Sequence, residues 1–348
     1  MQNNQQAYIS QVATNASSQN TNKHKIGVIL LNMGGPTDIY GVEDFLKNIF
    51  NDPLILRIKN NFMRKMLANM IITKRLESVK KNYQKIGGGS PIARHTFNLS
   101  TTLNDLDSSK LYTYAMRYTP PFCKDVLKDM QKQGINDIVL FSMYPQFSSA
   151  TTKSSLLDAY ESLKALAYKP RVSVVEHFST YTPFYELIAD NIEHTLAGAN
   201  PNEFVLILSA HSLPQKVVDA GDPYVAHCEE GKRLLTQILK KRGIHFYDIK
   251  LSYQSKVGPM RWLKPFTSDT IKESAHQKII IYPLAFTIDN SETDYELSIE
   301  YKALAQQLNV RDYRVCRCFN DNKDFAKMII TLVQDKLNAL SECNKTLY

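Results

Sequence analysis

One histidine and three evenly spaced glutamates are the residues of this chain best suited to proton and metal chemistry. His211 lies three residues past the apolar run Phe204–Leu208, in the stretch FVLILSAHSLP. Such a run reads as a strand buried on both faces, and Pro214 stops the ladder soon after. In an open parallel sheet, the loop at a strand's carboxyl end is where ligands bind. Imidazole has the side-chain pKa nearest neutrality, so His211 can take up or release a proton at working pH. Glu292, Glu296 and Glu300 follow a second apolar run, Ile279–Tyr282, and their spacing by four puts them on one face of a helix. Like charges so placed repel by about 0.2–0.5 kcal/mol per pair. The ladder reads either as a solvated acidic face or as a file of hard oxygen ligands for a divalent cation. With His211 on a sister loop, metal handling is the better reading.

Two glycine-rich turns lie where backbone can approach a ligand closely. Ile26–Leu31 is an apolar strand running into Asn32-Met33-Gly34-Gly35-Pro36, and Ile86-Gly87-Gly88-Gly89-Ser90-Pro91 precedes a helix from Ile92. Neither turn carries the GxGxxG or GxxxxGK[ST] pattern, which excludes a dinucleotide or Walker loop. The second can offer backbone N–H groups and the Ser90 hydroxyl to a carboxylate at a helix N-terminus. Between the turns, Leu54–Arg75 carries Ile58, Phe62, Met66 and Met70 on one helical stripe, flanked by Arg57, Lys59, Arg64, Lys65, Lys74 and Arg75. This segment is either a helix packed on its domain or a lip over a greasy cleft that touches an anionic bilayer.

The elements that must position these residues alternate as strand and helix. Strands are expected at 111–116, 138–141, 172–175, 204–208, 250–253 and 279–282. Helices are expected at Phe122–Lys132, through Leu156–Leu163, at Phe184–Leu196 and at Tyr224–Arg242. The rhythm is that of parallel βαβ units. The layout also repeats: VILLNMGGP parallels LILSAHSLP, and TYAMRYTPPF parallels LSYQSKVGPM. The expected fold is α/β, with two similar Rossmann-like domains whose parallel sheets face a central cleft, the usual place for a ligand. The expected boundaries are a disordered leader at 1–24, an N-terminal domain at 25–170 with the lip at 54–76, a C-terminal domain at 171–319, and a terminal helix within 320–348.

Bulk properties narrow the partners. The 348 residues carry a net charge of +8, which favours acidic partners; without zinc-knuckle, RNP or Arg-rich motifs, nucleic acid is the weakest of these. Five cysteines, Cys123, Cys228, Cys316, Cys318 and Cys343, form no disulfide framework, and Cys316-Arg317-Cys318 is too tight for ordinary CxxC chelation. No apolar run is long enough to span a membrane, and residues 1–22 contain no Lys or Arg, unlike a secretory or transit leader.

The stretches LLNMGGP, YQKIGGGSPI, AMRYTPP, YPQFSSATTKSS, SAHSLPQKVVDAGDPY, YQSKVGPMRWLKP and FTIDNSETDYELSIEY resemble successive signature blocks of the ferrochelatase family, in that family's order over residues 26–301. The resemblance implies a nucleotide-free pair of Rossmann-like domains clasping a porphyrin. It also implies insertion of Fe²⁺ into protoporphyrin IX to give protohaem in the last step of haem biosynthesis, a lyase reaction. By position, His211 and Glu292 would act catalytically and on the metal from opposite faces of the macrocycle, and Glu296 and Glu300 would continue the acidic metal path. Met33, Arg75, Tyr83 and Ser90 would contact the porphyrin. Two departures from the family matter. Asn290 stands where many members have His, so no proton relay is assigned to it. The cysteine pattern does not match the cluster-binding arrangement of animal members, so no iron–sulfur cluster and no tightly bound cofactor are expected, Fe²⁺ being a substrate. The expected location is the cytoplasm, with peripheral contact at an anionic inner-membrane surface left open. Coproporphyrin as substrate, or a non-catalytic porphyrin or metal carrier on the same scaffold, are the rival readings. A periplasmic metal-binding protein of two-lobed form fits less well, for want of an export signal.

Overall fold

The apolar runs become strands, and their pairing makes two sheets of one design. In the computed structural model, which describes residues 25–258 and 260–345, the strands are β1 (Ile26–Asn32), β2 (Leu111–Met116), β3 (Asp137–Ser142), β4 (Arg171–Val175), β5 (Phe204–His211), β6 (Asp248–Gln254), β7 (Lys278–Pro283) and β8 (Tyr313–Val315). They form two four-stranded parallel sheets ordered β2-β1-β3-β4 and β6-β5-β7-β8. The inner strands β1, β3, β5 and β7 are buried almost throughout, as expected where both faces of a parallel sheet are covered. The repeat seen in the sequence is therefore real at the level of topology: β1 corresponds to β5 and β2 to β6. The expected leader at 1–24 and the chain end at 346–348 lie outside the described residues.

Two expectations are corrected. The domain boundary does not fall at 171, because Arg171–Val175 pairs with β3 from Asp137↔Arg171 to Phe141↔Val175 and completes the first sheet. Its Val172 and Val174 pack on that sheet's outer cluster with Leu140 and Leu163, which ties the strand to the first unit. The strand carrying His211 also does not stop at Leu208. Ser209 and Ala210 are fully buried and continue the ladder, with Ser209 bonding through its hydroxyl to the Gln254 Oε1 at 2.6 Å and meeting Thr267 Oγ1 at 2.9 Å. A serine whose hydroxyl is satisfied inside the sheet does not end a strand.

Helices cover both sheets: α1 (Val42–Asn51), α2 (Asn61–Lys85), α3 (Ile92–Leu106), α4 (Cys123–Lys132), α5 (Thr152–Ala165), α6 (Thr182–Leu196), α7 (Gln215–Asp219), α8 (Tyr224–Lys241), α9 (Thr267–Glu273), α10 (Tyr301–Gln307) and α11 (Lys323–Lys345), with a π-helix at Glu292–Glu300. The expected lip begins as a turn rather than a helix: α2 starts only at Asn61, whose preceding Asn60 side chain caps the Met63 N–H. Arg64 closes that turn by donating to Asn51 O and Ile58 O. The turn is rooted by Asp52, a buried carboxylate bonded by Arg117, Tyr118 and Ser154.

Successive side chains of each strand face opposite ways, which sorts the core into layers. Val28 and Leu30 of β1 share one inner cluster with Leu206 and Leu208 of β5, so apolar packing is continuous between the units. Ile29 and Leu31 face the first sheet's outer layer, and Val205 and Ile207 the second's. The loop after β3 fastens the units with polar bonds. Gln146 Nε2 donates to Leu284 O, the Phe147 N–H to His227 Nδ1, and Ser148 and Ser149 to Asp222, while Thr287 Oγ1 donates back to Met143 O. The terminal helix α11 returns to pack on α3, β4 and α6. Among the described residues no helix is long and apolar enough to cross a membrane.

Candidate functional site

His211 is the last residue of β5 and Glu292 opens the π-helix that follows β7. The two neighbouring strands thus deliver both groups to the carboxyl ends of the second sheet, where its strand order reverses. His211 Nδ1 lies 3.2 Å from Glu292 Oε1, but the approach is not aligned as a hydrogen bond, and that buried nitrogen has no other partner. The His211 side chain is 35% exposed and that of Glu292 24%, so both present an open edge. Around the ring, Phe286 stands edge-on at 6.4 Å, and Tyr224 OH bonds to the His211 carbonyl at 2.9 Å. Burial works against protonating His211, yet the carboxylates of Glu292 and Glu296 outweigh it and hold its pKa above 6.5.

The acidic ladder does not lie on an α-helix. Glu292–Glu300 coils as a π-helix, and the Tyr301 N–H reaches back to Glu296 O at the i→i+5 spacing. Stretches of this geometry are rare and gather at functional sites. Asn290 starts the coil. Its Oδ1 accepts the Glu292 N–H at 2.8 Å, its carbonyl accepts the Asp294 N–H, and its Nδ2 donates to Ile288 O. The same carbonyl accepts the Thr293 hydroxyl at 3.1 Å, so these contacts are all local.

Glu292, Glu296 and Glu300 differ in their surroundings. Glu296 accepts from Gln254 Nε2 at 3.1 Å, from the Ser255 N–H at 2.9 Å, from Ser255 Oγ, and from Tyr301 OH at 2.8 Å. Burial raises its pKa, Glu292 adds to that, and the Ser255 and Tyr301 hydrogen bonds and His211 work the other way. Glu300 is exposed at the far end. Among the described residues no three His, Cys, Asp or Glu side chains gather as a metal-holding cluster. Sequence reasoning missed Gln254 and Ser255, which tie β6 to the π-helix. The only signal was a polar Gln-Ser pair directly after the run Leu251–Tyr253. Ser255 adopts φ +66°, a conformation strained for a non-glycine residue, and its N–H then points at Glu296.

The other expected contacts are drawn together in part. Tyr83, near the end of α2, is buried and donates its hydroxyl to Ser291 Oγ at 3.4 Å, beside Glu292. Burial pushes its pKa up to about 12, with the Ser291 bond opposing and Glu292 adding to the rise. Met33, half-buried at the end of β1, joins the inner core to the cluster holding Tyr83 and Tyr118. Ser90 is buried against Gly35, where a Cβ would come within 2.7 Å of it, and its N–H donates to Pro36 O at 2.7 Å. Its hydroxyl accepts the Ile92 N–H rather than facing outward. Arg75, about two turns before Tyr83, is half-buried; its carbonyl accepts the Ser78 hydroxyl, but its guanidinium makes no hydrogen bond or ion pair with any described residue. Burial lowers its pKa.

Two parallel-sheet units with a histidine and a carboxylate meeting at the strand ends define the chelatase class of α/β protein. The fold is shared with SirB of Bacillus subtilis in an Fe³⁺-containing structure, at a TM-score of 0.54 over 90% of this chain and 95% of that one, with 10% identity. A SirB structure with cobalt aligns equally well, at 9% identity. The ferrochelatase family model matches residues 25–337, and the chain belongs to the ferrochelatase family. It is 53% identical to the ferrochelatase of Helicobacter hepaticus over 89% of this chain and all of that one. It is 49% identical to a Helicobacter pylori ferrochelatase over 94% of this chain and 98% of that one, and 48% to that of Wolinella succinogenes over 89% and 98%. The protein is accordingly an enzyme, a lyase of haem biosynthesis whose substrates are a porphyrin and a metal ion.

Proposed function

We propose that the site formed by His211 and Glu292 inserts Fe²⁺ into protoporphyrin IX, with the two side chains acting together from one face of the ring: their 3.2 Å separation leaves no room for a macrocycle between them, against the expectation of opposite faces. The carrying observation is the 3.2 Å approach of His211 Nδ1 to Glu292 Oε1 without an aligned hydrogen bond. Two groups so disposed are poised for a substrate atom rather than for each other. Metallation removes two pyrrole protons and seats a cation at the ring centre. A flat ring hides its nitrogen lone pairs in plane, so a site that binds a puckered ring better lowers the barrier. Neutral His211 accepts one pyrrole proton and releases it to solvent before taking the second. Glu292 is the last oxygen stop for the metal beside His211, and exposed Glu300 lies toward the entrance. Glu296, held by four donors, fixes the coil and sustains the negative potential. Arg75, whose guanidinium lacks a described partner, pairs with a porphyrin carboxylate. Iron is consumed as substrate, and no resident cofactor is called on.

An anaerobic assay of porphyrin fluorescence with Fe²⁺, and with Zn²⁺ in parallel, tests the assignment. His211→Ala and Glu292→Gln are each expected to lower turnover at least about a hundredfold while porphyrin still binds. Near wild-type turnover in either would remove that residue from the mechanism. Stoichiometric binding without turnover in the wild type would favour a carrier, and a higher kcat/KM on coproporphyrin would change the substrate.

A second part of the proposal concerns place. Phe62, Met63, Met66 and Met70 are 50–76% exposed on the first half of α2, among lysines 59, 65 and 74. This stripe gives a protein that works in the cytoplasm a peripheral grip on an anionic membrane. Co-sedimentation with anionic vesicles should fall when Phe62 and Met66 are changed to Ser. Equal binding to neutral vesicles would overturn it.

A further inference from the structure

Glu292 is bracketed by two carboxylates, Asp289 and Asp294, and one guanidinium holds both. Arg317 Nε lies 3.0 Å from Asp289 Oδ2, and its Nη1 donates to Asp294 Oδ1 at 2.7 Å. Its own backbone is pinned from α6, where Asn191 Nδ2 donates to Arg317 O at 2.8 Å. Asp289 is 1% exposed and also receives the Cys318 N–H and Asn320 Nδ2. The Glu292 carboxylate, by contrast, accepts no hydrogen bond among the described residues, so its place is set by the backbone beneath it. That backbone is the first turn of the π-helix, capped by Asn290 on the inside and gripped by Arg317 on the outside.

We infer that Arg317 is a positioning residue for metal insertion: its fork across Asp289 and Asp294 keeps the intervening turn in place and Glu292 opposite His211. The inference rests on the role given to Glu292 above. The physical need is plain. Without the guanidinium, two like charges, one of them buried, face each other across the turn that carries Glu292. Their repulsion opens the turn, and a misplacement on the order of 1 Å costs up to about a hundredfold in rate. A lysine ammonium neutralises charge at one point but cannot span both carboxylates with fixed geometry.

Steady-state kinetics on the full chain under anaerobic conditions, alongside melting temperatures, test this. Arg317→Ala should lower kcat about tenfold with KM for porphyrin within about twofold. Arg317→Lys should recover only part of the loss. Adding Asp294→Asn to Arg317→Ala should also recover part, because the repulsion is relieved. Unchanged kcat in Arg317→Ala, full recovery by Lys, or no recovery in the double variant would each overturn the inference. Should Arg317→Ala fail to fold, Asp294→Asn alone removes one arm of the fork and should lower kcat about threefold at unchanged KM; a wild-type kcat there overturns it. Glu292→Gln is run in parallel. If that variant turns over normally, the role given to Glu292 fails. If it is inactive and Arg317→Ala is not impaired, only the positioning inference fails.

Discussion

His211 holds a proton more tightly than a free imidazole because two carboxylates face it. Burial alone would favour the neutral ring, so the sign is decided by Glu292 and Glu296. A raised value makes the His211–Glu292 contact stabilising in full below pH 6.5, and that contribution fades as pH rises through the folded-state pKa. For turnover the sign is opposite: the neutral ring accepts the pyrrole proton, so kcat should rise with pH through a midpoint above 6.5. In resting Glu292→Gln, the larger attractive contribution is gone while burial remains, and the ring should titrate lower than in the wild type. An NMR titration of the histidine side chains reads this directly. An unmoved His211 would show that Glu292 is not the cause.

At the scale of elements, the site depends on a strand and a coil that depart from their simplest forms. β5 runs on through Ser209 because Gln254 and Thr267 satisfy the hydroxyl, and Gln254 then turns its other end to Glu296. One buried amide therefore couples β5, β6 and the π-helix. Gln254→Leu keeps approximate size but removes one of the two partners of the buried Ser209 hydroxyl and one of the four donors to Glu296. The expected cost is about 2–4 kcal/mol in urea unfolding, with a loss below about 1 kcal/mol counting against the network. The glycine turn is equally constrained. A Cβ on Gly89 would come within 2.2 Å of the Thr37 carbonyl, so bulk there displaces backbone rather than a side chain.

Across the whole molecule, two sheets of equal order share one inner core, and the loop Met143–Ser149 stitches their carboxyl ends together. Asp222 is the densest of these stitches: its Oδ2 takes the Ser149 N–H at 2.7 Å and both serine hydroxyls. Asp222→Ala should cost about 1–3 kcal/mol and speed amide exchange at Ser149 and Ala150 ahead of the strands. Exchange there at the wild-type rate would show that apolar packing alone aligns the two units.

Much of this protein was legible in its residues. Short continuous apolar runs bounded by turn residues read as strands covered on both faces, their alternation with helices points to parallel crossovers, and the repeated layout announced two units of one topology. The residue types able to move protons and meet a cation named His211 and Glu292. Tertiary structure decided the rest. Whether Arg171–Val175 closes the first sheet or opens the second depends on which neighbour it pairs with, and local pattern does not carry that. The π-helix in place of an α-helix reflects anchors far away in sequence, Gln254, Ser255 and Tyr313, the last bonding Leu297 O through its hydroxyl. Ser90 and Glu296, whose polar atoms looked free for ligands, are both occupied, Ser90 by the Ile92 N–H two residues on and Glu296 by Gln254 and Ser255, which only folding brings near. Local pattern specifies what a segment can be. Long-range pairing of buried polar groups decides which side chains remain unpartnered, and those are the ones left for chemistry.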